Sequence, residues 1–128
     1  MSVPPQELGR WGEKLAADFL IKQGYQIVAR NARTPYGELD LIALQFSKNN
    51  PDEMTTVFVE VKTRSSQTFG FPEESITASK QNHLISAALH YLQEHPDLDQ
   101  DWRVDVIAIE RYRNRDPIIH HFENALHE

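Results

Sequence analysis

The sequence predicts an α/β protein in which helices pack on one mixed β-sheet, in the order αβββαβ with a candidate fifth strand at the end. Two segments carry apolar residues at spacings of three or four, as on one face of a helix. Short runs rich in β-branched and aromatic residues precede and follow the second of them, as in strands. At 128 residues the chain can hold a single core. We therefore predict a single domain over residues 1–128, with a core from about residue 7 to residue 122.

Two helices are predicted, at residues 7–23 and 77–94. The apolar stripe of the first consists of Leu8, Trp11, Leu15 and Phe19. Gly24 follows it and suits the position after a helix end. The stripe of the second consists of Leu84, Ala87, Ala88 and Tyr91. These stripes predict that both helices pack on the sheet.

The predicted strands are residues 25–30, 38–44, 55–63, 102–109 and 117–122. A turn-rich stretch at 31–37 separates the first two strands, and a polar hairpin loop at 47–53 separates the next two. After the second helix, which Pro96 ends, the acidic stretch 94–101 is predicted to be a solvated loop.

The composition is that of an ordinary soluble protein, with 40% hydrophobic and 25% charged residues. The absence of cysteine excludes disulfides, thiolate metal sites and a cysteine nucleophile, and it is compatible with a reducing cytoplasm. We see no signal peptide and no run of about 18 apolar residues. The expectation is a cytoplasmic protein with no membrane partner.

The net charge of −6 argues against a non-specific coat protein for nucleic acid. Local charge is more informative, because basic residues cluster in two places. One cluster flanks the predicted strands and consists of Arg30, Arg33, Lys62 and Arg64. The other, in a turn, consists of Arg111, Arg113 and Arg115.

The segment FVEVKTR, residues 58–64, is an apolar strand that nevertheless carries charged residues. Side chains alternate along a strand, so Val57, Val59 and Val61 share one face, and Phe58, Glu60 and Lys62 share the other. In the preceding strand, Glu38, Asp40, Ile42 and Leu44 are predicted on one face, and Leu39, Leu41 and Ala43 on the other. A hairpin register can therefore place Asp40 beside Glu60.

Two carboxylates at close range in a partly buried place repel each other unless something compensates their charge. Mg²⁺ or Mn²⁺ would do so, because Mg²⁺ prefers oxygen ligands and is usually held by one or two carboxylates. We predict Asp40, Glu60 and the main-chain carbonyl of Val61 as metal ligands, with Lys62 placed to orient the attacking water or to offset charge on a phosphoryl transition state. Each short pattern alone is also typical of an amphipathic strand with a solvated face. The combination favours a metal-dependent nuclease.

The segments GELDLIA and VFVEVKTR resemble the PD-(D/E)xK nuclease superfamily. More narrowly, residues 9 to 109 resemble the YraN-type family of small bacterial proteins, predicted endonucleases that are distantly similar to archaeal Holliday-junction resolvases. The resemblance implies a restriction-endonuclease-like core and a metal site at Asp40, Glu60 and Val61. It also implies that Lys62 is catalytic and that Glu13 is an accessory acid. The superfamily's proline before the first acid is missing, but the family shares the GELD found here.

Most of the remaining candidate residues have both a functional and a structural interpretation. Glu13 lies beside the apolar stripe of its helix, where a solvated helix flank is the alternative to a site role. Arg33 and Arg64 suit contacts to phosphates, with a solvated surface as the alternative. Lys80 is assigned to substrate, although its stem can simply cover the core. The loop with Phe69, Gly70 and Phe71 is predicted to contact substrate.

Two further pairs of residues have structural interpretations. Arg103 and Asp105 share a strand face and are predicted to pair. The histidines, including His120 and His121, show no metal-ligand spacing and are predicted to be surface residues.

The sequence thus predicts a Mg²⁺- or Mn²⁺-dependent endonuclease acting on nucleic acid, DNA before RNA, with branched or junction DNA as a candidate substrate. Symmetric cleavage of a four-way junction would require a homodimer. The alternative is a non-catalytic nucleic-acid-binding or assembly module that retains the nuclease fold.

Overall fold

The computed structural model describes residues 4–65 and 77–126. The predicted substrate contacts of Phe69, Gly70 and Phe71 lie outside these residues. The helices are α1 (Pro5–Lys22) and α2 (Ala78–Glu94). The strands are β1 (Gln26–Thr34), β2 (Gly37–Phe46), β3 (Met54–Ser65), β4 (Trp102–Arg111) and β5 (Ile118–Leu126). The predicted αβββαβ order, with its fifth strand, is confirmed.

The five strands form one mixed sheet in the order β1-β2-β3-β4-β5. Neighbouring strands are antiparallel except β3 and β4, which are parallel. The chain needs α2 between these two strands, because a parallel pair requires a crossover connection. β3 therefore lies at the centre of the sheet, with hydrogen-bonded neighbours on both sides.

A helix covers each face of the sheet, and each interface is a hydrophobic cluster. On the α2 face, Phe58 and Val106 pack against the helix in the cluster that includes Leu84, Ala87, Ala88, Tyr91 and Leu92. On the α1 face, Val57 and Val59 pack in the cluster that includes Ala16, Ala17 and Leu20. The predicted alternation of faces in β3 is confirmed, because Phe58 and the valines lie on opposite sides.

The alternation predicted for β2 is wrong at one residue. Ile42 packs on the α2 face and Leu41 on the α1 face, as expected, but Leu39 also packs on the α2 face. The described ladder between β2 and β3 ends at the pair Leu41 and Val59. Beyond this point β2 has lost its partner on one side, and its side chains need not follow the regular alternation.

Two loop predictions need correction. β1 continues to Thr34, so most of the predicted turn-rich stretch is strand, and the turn itself contains only Pro35 and Tyr36. The acidic stretch after α2 includes a 3₁₀ helix, Pro96–Leu98. Leu98 is buried in the α2-face cluster, so this stretch is anchored to the core and is not simply a solvated loop.

The prediction that both adjacent histidines lie at the surface is wrong for His121. Its Nε2 lies 2.8 Å from Oδ2 of Asp105, a fully buried carboxylate. The predicted pairing of Arg103 with Asp105 is confirmed, with Nε donating to Oδ1 over 2.9 Å. The backbone N–H of Asn124 donates to the same oxygen over 2.8 Å, where the β4–β5 register is irregular. Through its contacts with His121 and Asn124, Asp105 therefore links β5 to β4.

No helix in residues 4–65 or 77–126 is long and apolar enough to cross a membrane.

Candidate active site

Four predicted site residues meet where β2 and β3 separate, and we call them the acid–lysine site: Asp40, Glu60, Lys62 and Lys80. Glu60 and Lys62 are two residues apart on β3 and therefore share a face. Lys80 comes from the first turn of α2, where its backbone N–H donates to the side chain of the capping residue Thr77. The site thus combines the central strand with a capped helix end.

Asp40 bridges the two strands at the point where their regular pairing stops. Its Oδ2 accepts a hydrogen bond from the backbone N–H of Val61 at 2.9 Å. The side chain therefore replaces a ladder hydrogen bond, and the carboxylate lies against β3 next to Glu60. This contact involves the N–H of Val61, whereas the predicted metal ligand is its carbonyl, whose role stays a prediction.

Glu60 is the buried acid of the site, with 8% of its surface exposed. Its Oε1 lies 3.6 Å from Nζ of Lys62 and 3.9 Å from Nζ of Lys80. Lys80 is 45% exposed at its side chain, so it reaches the acid from the solvent side. The ammonium group of Lys80 is therefore part of the site, in addition to any cover that its stem gives the core.

Burial and neighbouring charges shift the pKa values of three groups in this site. Burial and the negative charge of Glu60 raise the pKa of Asp40 to about 7, although the N–H of Val61 opposes this shift. Burial also raises the pKa of Glu60, against the opposing charges of Lys62 and Lys80. Burial and the neighbouring Lys80 lower the pKa of Lys62, against the charge of Glu60. The N–H of Val61 and the two lysines therefore only partly offset the cost of holding Asp40 and Glu60 as carboxylates.

Glu13 joins the site through an asparagine. With its side-chain nitrogen facing the acids, Asn31 donates to Glu13 Oε1 at 3.0 Å and to Glu38 Oε1 at 2.9 Å. Burial raises the pKa of Glu13, the bond from Asn31 opposes it, and the charges of Glu38 and Glu60 add to it. The structure therefore places Glu13 on the flank of the site, and its role as an accessory acid stays a prediction.

A close approach between α1 and β3 brings Glu13 there. Gly12, the preceding residue, is buried, and a Cβ added to it would collide with the side chain of Thr63. Only glycine fits at this contact without movement of its neighbour. Gly12 thus lets the helix lie close to the strand that carries Glu60 and Lys62.

The two predicted arginines lie farther along the strands. Arg64 is on the same face of β3 as Lys62 by alternation, and its register partner on β4 is Glu110. Arg33 is exposed on the edge strand β1, opposite Glu38. Arg64 therefore extends the line of the site along β3, whereas Arg33 lies two strands away.

The donor set suits a hard divalent cation in its chemistry. Asp40 and Glu60 are oxygen donors with raised pKa values, and Mg²⁺ is usually held by one or two carboxylates, with water and phosphate completing its shell. Within residues 4–65 and 77–126, no group of three or more Asp, Glu or His side chains is arranged to hold an ion by itself. The residues therefore fit an ion that shares its ligands with water and substrate better than an enclosed structural site.

The model of the Uncharacterised protein family UPF0102 matches residues 12–109. The chain belongs to this family. A UPF0102 protein of Chlorobium phaeobacteroides is 45% identical over 125 residues, covering 98% of this chain and 87% of that protein. Another, from Syntrophomonas wolfei, is 46% identical over 104 residues, covering 81% and 84%. A third, from Bifidobacterium longum, is 40% identical over 126 residues, covering 97% and 96%.

Membership of UPF0102 confirms the YraN-type family predicted from the sequence. The matched range contains every predicted site residue, from Glu13 to Lys80. β5 lies entirely outside it, and the match begins within α1, ends within β4 and contains β1, β2, β3 and α2 in full.

Sequence reasoning missed Asn31 and Gly12. Asn31 has a positive φ of 52°, a conformation that asparagine tolerates better than most residues. It lies opposite Asp40 in the β1–β2 register, between the pairs of Arg30 and Ala32. An asparagine inside a predicted strand is a weak signal for such a residue. The signal for Gly12 was a glycine directly before Glu13 in a helical pattern.

Proposed function

We propose that this UPF0102 protein is a metal-dependent endonuclease-like phosphodiesterase that acts on nucleic acid. The observation that carries the proposal is the pair of acids, buried Glu60 and half-buried Asp40, with two ammonium groups within 4 Å of Glu60 Oε1. The resemblance of the same residues to the PD-(D/E)xK nucleases supports it.

In this proposal Asp40 and Glu60 hold Mg²⁺ or Mn²⁺, with the carbonyl of Val61 as a further ligand. The ion would offset the charge of the two carboxylates and of a bound phosphate. Lys62 orients the attacking water, and its lowered pKa leaves a larger fraction of it neutral, and so able to accept a proton, than of an ordinary lysine. Lys80 offsets negative charge on the phosphate from the solvent side.

Hydrolysis of a phosphodiester requires that water form a new P–O bond while the bond to the leaving oxygen breaks. The attacking water must lose a proton, and Lys62 in its neutral form is placed to take it. Glu13 stays on the flank as an accessory acid. Arg33 and Arg64 are proposed to guide the nucleic-acid backbone past the site.

The test is incubation with linear and branched DNA and RNA in Mg²⁺ or Mn²⁺. Asp40→Asn, Glu60→Gln and Lys62→Ala should each reduce cleavage by about 100-fold or more, and double variants should be hardly worse, because the groups act as one unit. Lys14→Ala is the matched control, because this lysine is 75% exposed on the solvent side of α1. Cleavage by Lys62→Ala at the wild-type rate would remove the lysine from the mechanism.

The second candidate is a nucleic-acid-binding or assembly module without catalysis. The ion pairs of Glu60 with Lys62 and Lys80, at 3.6 Å and 3.9 Å, favour it, because these two ammonium groups offset the charge of that acid without a metal. Such a module would bind the same nucleic acids, yet it would cleave none of them in either metal. The incubation described above distinguishes the two candidates.

A further inference from the structure

A groove leads away from the acid–lysine site along α2, and the chemistry above does not use it. Its inner end is a cavity of about 220 Å³ whose lining includes Glu60, Lys80 and Tyr36. Its outer end is a cavity of about 440 Å³ whose lining includes Tyr36, Leu89 and His90. Tyr36 lines both cavities, so the two cavities adjoin at this residue.

The lining of the groove follows α2 from Lys80 to Gln93. Lys80 and His90 lie on the same helix, and an α-helix rises about 1.5 Å per residue, so they are about 15 Å apart along its axis. The opposite wall is the tight turn between β1 and β2. A chain of a few linked groups fits such a groove better than one small molecule does.

The backbone around Tyr36 is fixed by local hydrogen bonds. The N–H of Tyr36 donates to Thr34 Oγ1 at 3.1 Å, and that hydroxyl donates to the carbonyl of Gly37 at 2.7 Å. Pro35 fixes its own φ, and Gly37 has a φ of +129° that other residues rarely adopt. The turn thus holds Tyr36 in a defined place beside the groove.

The side chain of Tyr36 is both oriented and accessible. Its ring lies 6.2 Å from the ring of His90 at an angle of 64°, an edge contact across the groove. Half of the residue, 50%, is exposed to solvent. A half-exposed aromatic ring can pack its apolar surface against a flat group of a ligand.

We propose that the groove binds unpaired nucleotides, with Tyr36 stacking on a base while the adjoining phosphate lies beside the ammonium group of Lys80. This inference rests on the proposed function and names its substrate class. Bases of single strands stack on tyrosine and histidine rings, whereas bases inside a duplex have both faces covered by their neighbours. Tyr36 therefore favours a single strand, a flap or an unpaired junction arm over continuous duplex.

The charges along the groove agree with stacking as the main interaction at its outer end. Lys80 and His83 line the inner end together with Glu38, whereas the lining of the outer end includes Asp99. An acid there does not attract phosphates, so affinity for nucleic acid at that end must come from the bases. Arg33 lies three residues before Tyr36 and is exposed near the same turn.

The test measures binding of a single-stranded oligonucleotide of about twelve nucleotides, a length typical of single-strand sites, that carries 2-aminopurine. Binding is followed in EDTA by fluorescence quenching, with unlabelled duplex of the same sequence as competitor. Wild type should bind the single strand at least about 10-fold more tightly than the duplex. Tyr36→Ala should lose about 10-fold in single-strand affinity, and Tyr36→Phe should retain it.

Phe46→Ala is the matched control, because Phe46 is an exposed aromatic residue, 39%, at the other end of β2. It should leave single-strand affinity unchanged. An unchanged affinity in Tyr36→Ala, with a melting temperature equal to that of wild type, would overturn the inference.

Two results separate this inference from the proposed function. If no substrate is cut in Mg²⁺ or Mn²⁺ but Tyr36→Ala loses single-strand affinity, the groove is supported and the hydrolase is not. If cleavage depends on Asp40 and Glu60 yet is equally fast on continuous duplex and insensitive to Tyr36→Ala, the hydrolase is supported and the groove is not.

Discussion

Asp40 accepts a hydrogen bond from the backbone N–H of Val61 over 2.9 Å, at the point where the ladder between β2 and β3 ends. The bond brings a carboxylate next to the buried acid Glu60. The repulsion between the two acids is a property of the protein without metal, and it can be measured without any substrate.

The first prediction is that Asp40→Asn stabilises the metal-free protein at neutral pH. The pKa of Asp40 is raised from 3.8 to about 7, so the folded state binds more protons than the unfolded state between these values. Stability is therefore lost as pH rises from about 4 to about 7. Asparagine keeps an oxygen for the N–H of Val61 but carries no charge. Denaturation in EDTA at pH 8 should show a gain of about 2 kcal/mol for the variant.

The gain of Asp40→Asn should shrink as pH falls towards 4, because Asp40 is then protonated in the folded wild type. Asp52→Asn is the control, since this acid lies exposed in the hairpin loop at the other end of the sheet. Equal stability of Asp40→Asn and wild type at pH 8 would contradict the repulsion.

The second prediction concerns metal and stability. An ion that binds only the folded state stabilises it by about 2.7 kcal/mol when its concentration is 100 times Kd. Saturating Mn²⁺ or Mg²⁺ should therefore raise the Tm of wild type by several degrees over its value in EDTA. Asp40→Asn should show little rise. A wild-type Tm that is the same in EDTA and in metal, also with an oligonucleotide present, would argue against an ion at these acids.

The third prediction tests the close approach of α1. Gly12→Ala should lower the free energy of unfolding by about 1–3 kcal/mol, because its Cβ collides with Thr63. Gly9→Ala is the matched control in the same helix. No atom lies within 4 Å of a Cβ at Gly9, so this change should be neutral or stabilising. Adding Thr63→Ala to Gly12→Ala should recover part of the loss, and no recovery would show that the contact is misassigned.

The fourth prediction concerns the buried carboxylate of Asp105. Burial alone would raise its pKa, but hydrogen bonds from His121, Arg103 and the N–H of Asn124 lower it below 3.8. The ionised form therefore stabilises the fold above about pH 4, and this contribution is lost as pH falls through the lower folded pKa. Asp105→Asn should cost about 3 kcal/mol at pH 7, measured by chemical denaturation, and less in acid. Asp97→Asn, at an exposed acid, should cost almost nothing at either pH.

The fifth prediction concerns contacts to phosphates. If Arg33, Arg64 and Lys80 neutralise phosphates, log K for nucleic acid should fall with log[salt], and each removal should flatten the slope by about one unit. Titrations at several salt concentrations measure this for Arg33→Gln, Arg64→Gln and Lys80→Gln. Lys48→Gln is the control, because Lys48 is exposed in the hairpin loop after β2. A slope that none of the three variants changes would place the nucleic acid elsewhere.

The periodicity of the chain predicted the fold well. The alternation in β3 and the stripe on α2 were correct because each depends on one regular element packing against a core. The proximity of Asp40 and Glu60 followed from a hairpin register, and the structure shows it. The lysine neighbours of Glu60 were predicted in part, since Lys62 shares its strand whereas Lys80 comes from a distant helix.

What the sequence did not predict depends on breaks in regularity. The side of the sheet on which Leu39 packs, and the positive φ of Asn31, both occur where the strands around Asp40 separate. His121 is partly buried because it lies opposite Ile107 on β4, on the same face as Asp105, whose carboxylate contacts its Nε2. Irregular register and long-range partners leave no periodic pattern, so local reasoning about single residues could not identify them.

The site combines residues on the central strand β3 with residues on a turn and on a helix end. Up to Val59 the amides of β3 lie between strands on both sides, so hydrogen exchange there is expected to be among the slowest in the protein. Glu60 and Lys62 directly follow this part of β3 and stay paired with β4. Tyr36 and Lys80, by contrast, lie on a turn at the edge strand and on the first turn of a helix, where substitutions disturb little of the sheet. Substrate preference can change at these positions among relatives while the geometry of the two acids stays the same.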